Sequence, residues 1–240
     1  MKFKVLENYD EMSEYASEII KDVIKNNANP KLGLATGSTP IGTYKKLVKA
    51  YEDGEIDFSN TKTVNLDEYV GIDIENTQSY RFFMNDNLFD HVNIDKNNTN
   101  VPRADLKPLD AVKEYNKLLD NFGRRHLQLL GAGPNGHIAF NEPSKALNAR
   151  TSIVNLKEET INANSRFFNS IDDVPKQAVS MGLVDIFDAD TLLVLASGKN
   201  KHFVVDKFLN SNEIDPQFPL SFIKLHANAI FLVDKEAYEG

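Results

Sequence analysis

The chain has 240 residues, 41% of them hydrophobic and 26% charged, with a net charge of -8 and no cysteine. That length and balance suit one globular domain with a large core, the acidity argues against a general binder of nucleic acid or anionic membranes, and the lack of cysteine excludes disulfides, thiolate metal sites and a cysteine nucleophile. The opening MKFKVLENYDEM has no apolar signal-peptide core and no run approaches the roughly 18 apolar residues of a membrane span, so a cytoplasmic protein is expected.

In chain order, Met12, Tyr15, Ala16, Ile19, Ile20, Val23 and Ile24 recur at three- and four-residue spacing, which predicts a helix ending near Asn26 and Asn27. A strand is expected at 31–35. Strand-like runs at 63–66, 99–101, 126–130, 191–196 and 229–233 then alternate with helix-like runs at 40–51, 79–89, 109–121 and 200–210. This alternation predicts an α/β, single-domain protein: a mostly parallel open sheet with helices on both faces, Rossmann-like. Such sheets bind ligands outside the carboxyl ends of their strands. The segment 144–176 is polar, irregular and rich in Asn and Ser, which makes it either a lid or an ordinary surface excursion.

Two stretches fall at expected strand ends. The string GAGPNGHIAFNEP at 131–143 follows an apolar run, and its glycines let the chain turn sharply and bring backbone close to a ligand. It places His137 and Glu142 near the carboxyl end of a strand, with Pro143 biasing Glu142 towards an extended backbone. A histidine after a glycine turn is structural more often than catalytic, so the weight lies on the whole string. Earlier, Thr36, Gly37, Ser38, Thr39 and Pro40 separate a strand from a helix. Proline suits the first helical position, Thr39 is the expected N-cap, and the free amides there are either an anion site or a plain cap.

The string GxGxNGHIAFNEP resembles the signature of the glucosamine-6-phosphate deaminases. LATGSTPIGTYKKL at 34–47, NLDEYVGI at 65–72, SYRFFMNDNLFDHV at 79–92, ANSRFFNSIDDVPKQAVSMG at 163–182 and SGKNK at 197–201 match the same family in the same order. The resemblance implies that His137 acts as acid or base in ring opening with Glu142 orienting it, and that Asp67 is the base moving a proton from C2 to C1. Glu68, next to it, is expected to point to the opposite side. The resemblance also implies that Lys201 and Arg166 hold the substrate phosphate beside Thr36, Gly37, Ser38 and Thr39, with Lys199 a competitor for Lys201 and Arg166 positioned to close with a lid.

Two departures stand out. Asn135 occupies a position where many family members have aspartate, so it is carried over only as an orienting residue. The basic lead-in Gly123-Arg124-Arg125-His126 has no counterpart in the expected pattern.

The resemblance implies conversion of glucosamine 6-phosphate to fructose 6-phosphate and ammonia, with no cofactor and no metal. A sugar phosphate is the expected partner, nucleic acid and membrane are not, and a monomer or small homo-oligomer is expected. Ser152 and Val154 stand where larger allosteric relatives carry an activator-binding arginine and lysine, and the sequence stops at Gly240, short of their C-terminal extension. The alternatives are a 6-phosphogluconolactonase, which gives no reason to keep Asp67 together with IAFNEP, and a sugar-phosphate-sensing regulator. A regulator would need a DNA-binding region, and only about 30 residues precede the strand at 31–35.

Overall fold

A computed structural model describes the protein at every residue except 159, 160, 163–167 and 169. The first strand, β1 (Lys2–Leu6), leads into α1 (Tyr9–Asn26), β2 (Lys31–Leu34) and α2 (Ile41–Glu52). Two short strands, β3 (Lys62–Asn65) and β4 (Asp67–Tyr69), precede α3 (Tyr80–Met84), which runs on into a π-helical turn at Asn85–Phe89. Next come β5 (Thr99–Asn100), α4 (Pro108–Phe122), β6 (Arg125–Gly131), β7 (Ser152–Asn155) and β8 (Gln177–Ser180). The chain ends with α5 (Leu183–Phe187), β9 (Ala189–Ala196), α6 (His202–Asn210), β10 (Ala229–Asp234) and α7 (Lys235–Glu239).

Seven strands form one sheet in the order β1-β10-β9-β6-β2-β3-β5, and every pairing in it is parallel. Burial decides this: Leu127, Leu129 and Leu130 on β6, Leu192–Ala196 on β9 and Phe231–Val233 on β10 are all buried, as continuous apolar runs are when helices cover both faces. The alternation read from the sequence thus gives the right architecture. β1 was missed because it is a half-exposed edge strand, although Lys2, Phe3, Lys4 and Val5 do alternate at the period of two that marks one.

A second, antiparallel sheet, β4-β8-β7, was not foreseen. Its strands are three or four residues long, below what periodicity can register. It also corrects the reading of 144–176 as irregular: Ser152–Asn155 is a strand paired to β8. Arg166 lies outside the described residues.

The start of α2 differs from expectation too. The helix begins at Ile41 after Pro40, and no side chain at that position caps it. Tyr9 takes over, its hydroxyl accepting from the Gly42 amide at 2.7 Å and donating to the Ser38 carbonyl at 3.1 Å, so Thr39 has no capping task.

The unexplained basic lead-in to β6 is a strand staple at the amino end of the sheet. Arg124 bonds the Asp190 carboxylate at 2.6 Å and the Ala189 carbonyl at 2.7 Å, buried Arg125 donates to the Asp185 carbonyl, and His126 Nδ1 accepts from the Lys31 amide at 2.9 Å. A cleft of about 750 Å³ opens there. Its exposed cations are already paired, Arg124 with Asp190 and Arg150 with Asp120 and Asp185, so it gathers no free charge.

Candidate active site

The carboxyl ends of β9, β6, β2 and β3 are neighbours in the sheet, and all four lead directly into segments singled out from the sequence. From β2 the chain enters Thr36–Thr39, where Gly37 takes a φ of +99° that L side chains rarely adopt. From β9 it enters Ser197 and Gly198. Buried Asp234 fixes this second turn, accepting from the Ser197 hydroxyl at 2.5 Å, the Gly198 amide at 3.1 Å and the Ala237 amide at 2.8 Å. Lys201 follows, and burial lowers its ammonium to a pKa of about 8. No carboxylate pairs with it among the described residues, and a desolvated ammonium without a counter-ion is set to take an anion. Lys199 is exposed, which separates the two competitors.

From β6 the chain enters the 131–143 loop. Here Gly133 is required, because a Cβ there would lie 2.3 Å from the His137 ring; so is Gly136, which has a φ of +86° and whose Cβ would lie 2.3 Å from the Phe218 ring. Ala139 at φ 52° is the one non-glycine residue with positive φ among those described. The loop is tied down from below: buried Asn141 donates to the carbonyls of Ile138 at 3.0 Å and Met181 at 2.8 Å, and the Phe140 amide donates to Ser180 Oγ at 3.1 Å. Backbone held this tightly keeps its side chains in place.

Three of the expected residues meet in this loop. The Asn135 amide group donates to Glu142 Oε2 at 2.8 Å and its carbonyl accepts from the His137 amide at 3.1 Å, while His137 Nδ1 stands 3.5 Å from Glu142 Oε1. That last separation is long for a hydrogen bond and close enough for carboxylate to stabilise imidazolium. Nδ1 is buried whereas the side chain as a whole is 23% exposed, so the accessible part of the ring is its other side. A proton on Nδ1 facing Glu142 leaves Nε2 free to accept.

Asp67 opens β4, just past the end of β3, where the chain leaves the large sheet for the small one. Its carboxyl is buried, and burial, with the neighbouring charge of Glu68 added, pushes it up to about 8. It has no hydrogen-bond or ion-pair partner among the described residues. Glu68 is equally buried but accepts three backbone amides, from Tyr69 at 2.9 Å, Tyr80 at 3.0 Å and Arg81 at 3.0 Å. An aromatic cluster adjoins the two acids: Tyr80 lies 5.0 Å from Tyr69 and stacks on Phe140 at 6.0 Å. Sequence reasoning singled out neither Tyr80 nor Phe140, though both lie inside quoted motifs.

A parallel sheet that gathers a buried carboxyl, a histidine–carboxylate pair and a counter-ion-free ammonium at its carboxyl edge belongs to the α/β enzymes. The chain is a member of the family of glucosamine-6-phosphate isomerases and 6-phosphogluconolactonases, whose sequence pattern matches residues 7–232. It is 48% identical over 238 residues to the glucosamine-6-phosphate deaminase of Clostridium perfringens (strain SM101 / Type A), covering 99% of this chain and 98% of that one. Against the glucosamine-6-phosphate deaminase of Thermoanaerobacter pseudethanolicus the identity is 44%, with 99% and 94% covered. Among solved structures, a monomeric glucosamine-6-phosphate deaminase superposes with a TM-score of 0.96 at 41% identity, over 100% of this chain and 99% of that one. A 6-phosphogluconolactonase from Thermotoga maritima shares the fold, with a TM-score of 0.78 at 19% identity over 98% and 99%.

Proposed function

We propose that the protein converts glucosamine 6-phosphate and water to fructose 6-phosphate and ammonia, in amino-sugar catabolism. The observation that carries this reading is the pairing of two separate acid/base groups at one sheet edge: a histidine backed by a carboxylate, and a buried aspartate without a partner. Ring opening needs a proton carried from the C1 hydroxyl to the ring oxygen, which His137 performs through Nε2 with Glu142 behind Nδ1 and Asn135 orienting both. Isomerisation needs a proton carried from C2 to C1, which ionised Asp67 performs through an enolamine. Protonation at C1 leaves an iminium at C2; water adds to C2, and ammonia departs to give the ketose.

The phosphate is held by Lys201 and by the amides of Thr36, Gly37, Ser38 and Thr39, with Arg166 completing the clamp from the segment of the proposed lid. No metal or organic cofactor takes part. The enzyme acts in the cytoplasm as a monomer or small homo-oligomer, as one domain spanning 1–240.

Coupled detection of ammonia and fructose 6-phosphate from glucosamine 6-phosphate tests the reading, with mannosamine 6-phosphate and 6-phosphogluconolactone as controls. Ammonia release in the presence of chelator is expected. Lactone hydrolysis with no deamination would overturn it in favour of the other activity named in the family.

A further inference from the structure

Asp67 and Glu68 are consecutive, both buried, and treated very differently by their surroundings. Glu68 collects three amide donors, two of them the first amides of α3, whose third is taken by Ser79 Oγ through a 2.9 Å bond from Phe82. Burial raises the Glu68 carboxyl to about 7, and the amide bonds work against that rise, because hydrogen bonds to a carboxylate favour its charged form. Asp67 has no such support. When two adjacent buried acids share one negative charge, the better hydrogen-bonded one carries it and the other keeps its proton.

We propose that Glu68 is a positioning residue for the reaction: once ionised, its negative charge governs the proton held by Asp67, and its amide bonds lock α3, with Tyr80, against the strand that carries Asp67. The proposal rests on the reading of Asp67 as the C2–C1 base. Among the described residues Glu68 is the one charged group that acts on the Asp67 carboxyl. On β4 the remaining titratable neighbour is Tyr69, α3 offers Tyr80 and the guanidinium of Arg81, and α4 offers Tyr115, whose hydroxyl is committed to the Asn65 carbonyl at 2.5 Å. Opposite Asp67 on β8 is Ser180, which does not titrate. Both tyrosines of the pair beside the acids, Tyr80 and Tyr115, are held neutral by burial. Arg81 is already engaged by Thr99 through its side-chain hydroxyl at 2.8 Å and its carbonyl at 3.0 Å. Its charge favours the ionised form of Glu68, so removing Glu68 removes the charge that opposes ionisation of Asp67.

The consequence has a sign. Burial raises the Asp67 carboxyl most and the charge of Glu68 adds to it, so without that charge Asp67 ionises earlier. In the full chain, Glu68→Gln is expected to move the acid limb of kcat/KM for glucosamine 6-phosphate downwards by roughly one pH unit or more, while retaining measurable turnover on the alkaline plateau. Titration of the substrate itself is common to both proteins and cancels in the comparison. A uniform loss of activity with an unmoved limb would show that Glu68 is merely structural and would overturn the proposal.

Should Glu68→Gln fail to fold, carbon-detected titration of the two carboxyls in Asp67→Asn and in the unaltered protein decides. In the unaltered protein Glu68 should lose its proton before Asp67, with the Glu68 midpoint unmoved in Asp67→Asn, and ionisation of Asp67 ahead of Glu68 would overturn the proposal. Full turnover in Asp67→Asn would instead remove the base assignment itself, a separate failure from that of Glu68.

Discussion

Lys201 shows how burial turns a common side chain into a conditional one. Its ammonium, lowered to about 8 by desolvation, attracts phosphate only while protonated, so affinity is full below that pH and falls as pH rises through it, by at most about tenfold per unit. Inhibition by inorganic phosphate, measured from pH 7 to about 9.5, should weaken accordingly, and Lys201→Arg should flatten the slope because guanidinium stays charged. An unchanged slope would place the phosphate elsewhere. Asp67 gives the opposite sign for stability. Its folded pKa of about 8 lies above the ordinary 3.8, so the unfolded chain holds fewer protons between those values and stability is lost as pH rises across that window. Asp67→Asn should therefore match the parent near pH 4 and exceed it by up to a few kcal/mol at pH 8, read as a melting-temperature gap that opens with pH. A gap of constant size would deny that the carboxyl is uncompensated. Asn135 is the third case. Aspartate there could still accept from the His137 amide but could not donate to Glu142, and it would add a like charge beside that carboxylate. Asn135→Asp should retain activity within about tenfold and move the acid limb upwards, a shift that a pH–rate profile on the cyclic substrate would register.

Elements position these groups, and the 131–143 loop does so through two glycines with different duties. Gly133 yields space to the His137 ring, whereas Gly136 supplies a left-handed backbone under Phe218. Gly133→Ala should cost activity more than stability, about 10² in kcat/KM for an ångström of displaced imidazole. Gly136→Ala should cost stability first, about 1–3 kcal/mol. Melting and kinetics measured on both variants would expose the contrast, and equal profiles would contradict it. The loop was legible in advance because glycine, histidine and glutamate carry their chemistry in their identity, and the central strands were legible because full burial writes itself as Leu and Val runs. The small sheet was not: β4, β7 and β8 are too short for periodicity, and their pairing is settled by contacts such as the Met181 amide with the Leu66 carbonyl at 2.8 Å, which join residues more than a hundred positions apart. Likewise Thr39 lost its expected capping role to Tyr9, a residue on another helix that no local pattern near position 39 could announce.

At the scale of the whole molecule the two ends of the large sheet divide the labour. The amino end is stapled by Arg124, Arg125 and His126, while at the carboxyl end Asp67 and Lys201 have no ion-pair partner among the described residues, so two uncompensated groups are gathered at one edge of a core that absorbs their cost. Regulation by a second anion would need further unpaired cations, and β7 bears on this directly. It carries Ser152 and Val154, neither of which supplies charge. Arg150, two residues before Ser152, is already bound to Asp120 at 2.7 Å and Asp185 at 2.6 Å. Two missing charge-assisted contacts, at about 1.5–3 kcal/mol each, weaken an anion site by several orders of magnitude. Substrate kinetics are therefore expected to be hyperbolic and insensitive to N-acetylglucosamine 6-phosphate, with sedimentation reporting a monomer or small oligomer. Converting Ser152 to Arg and Val154 to Lys together should not by itself create activation, because cooperativity requires two coupled states as well as a site. A sigmoidal rate curve in the parent protein that turns hyperbolic with micromolar N-acetylglucosamine 6-phosphate would show that its regulation is built elsewhere in the fold.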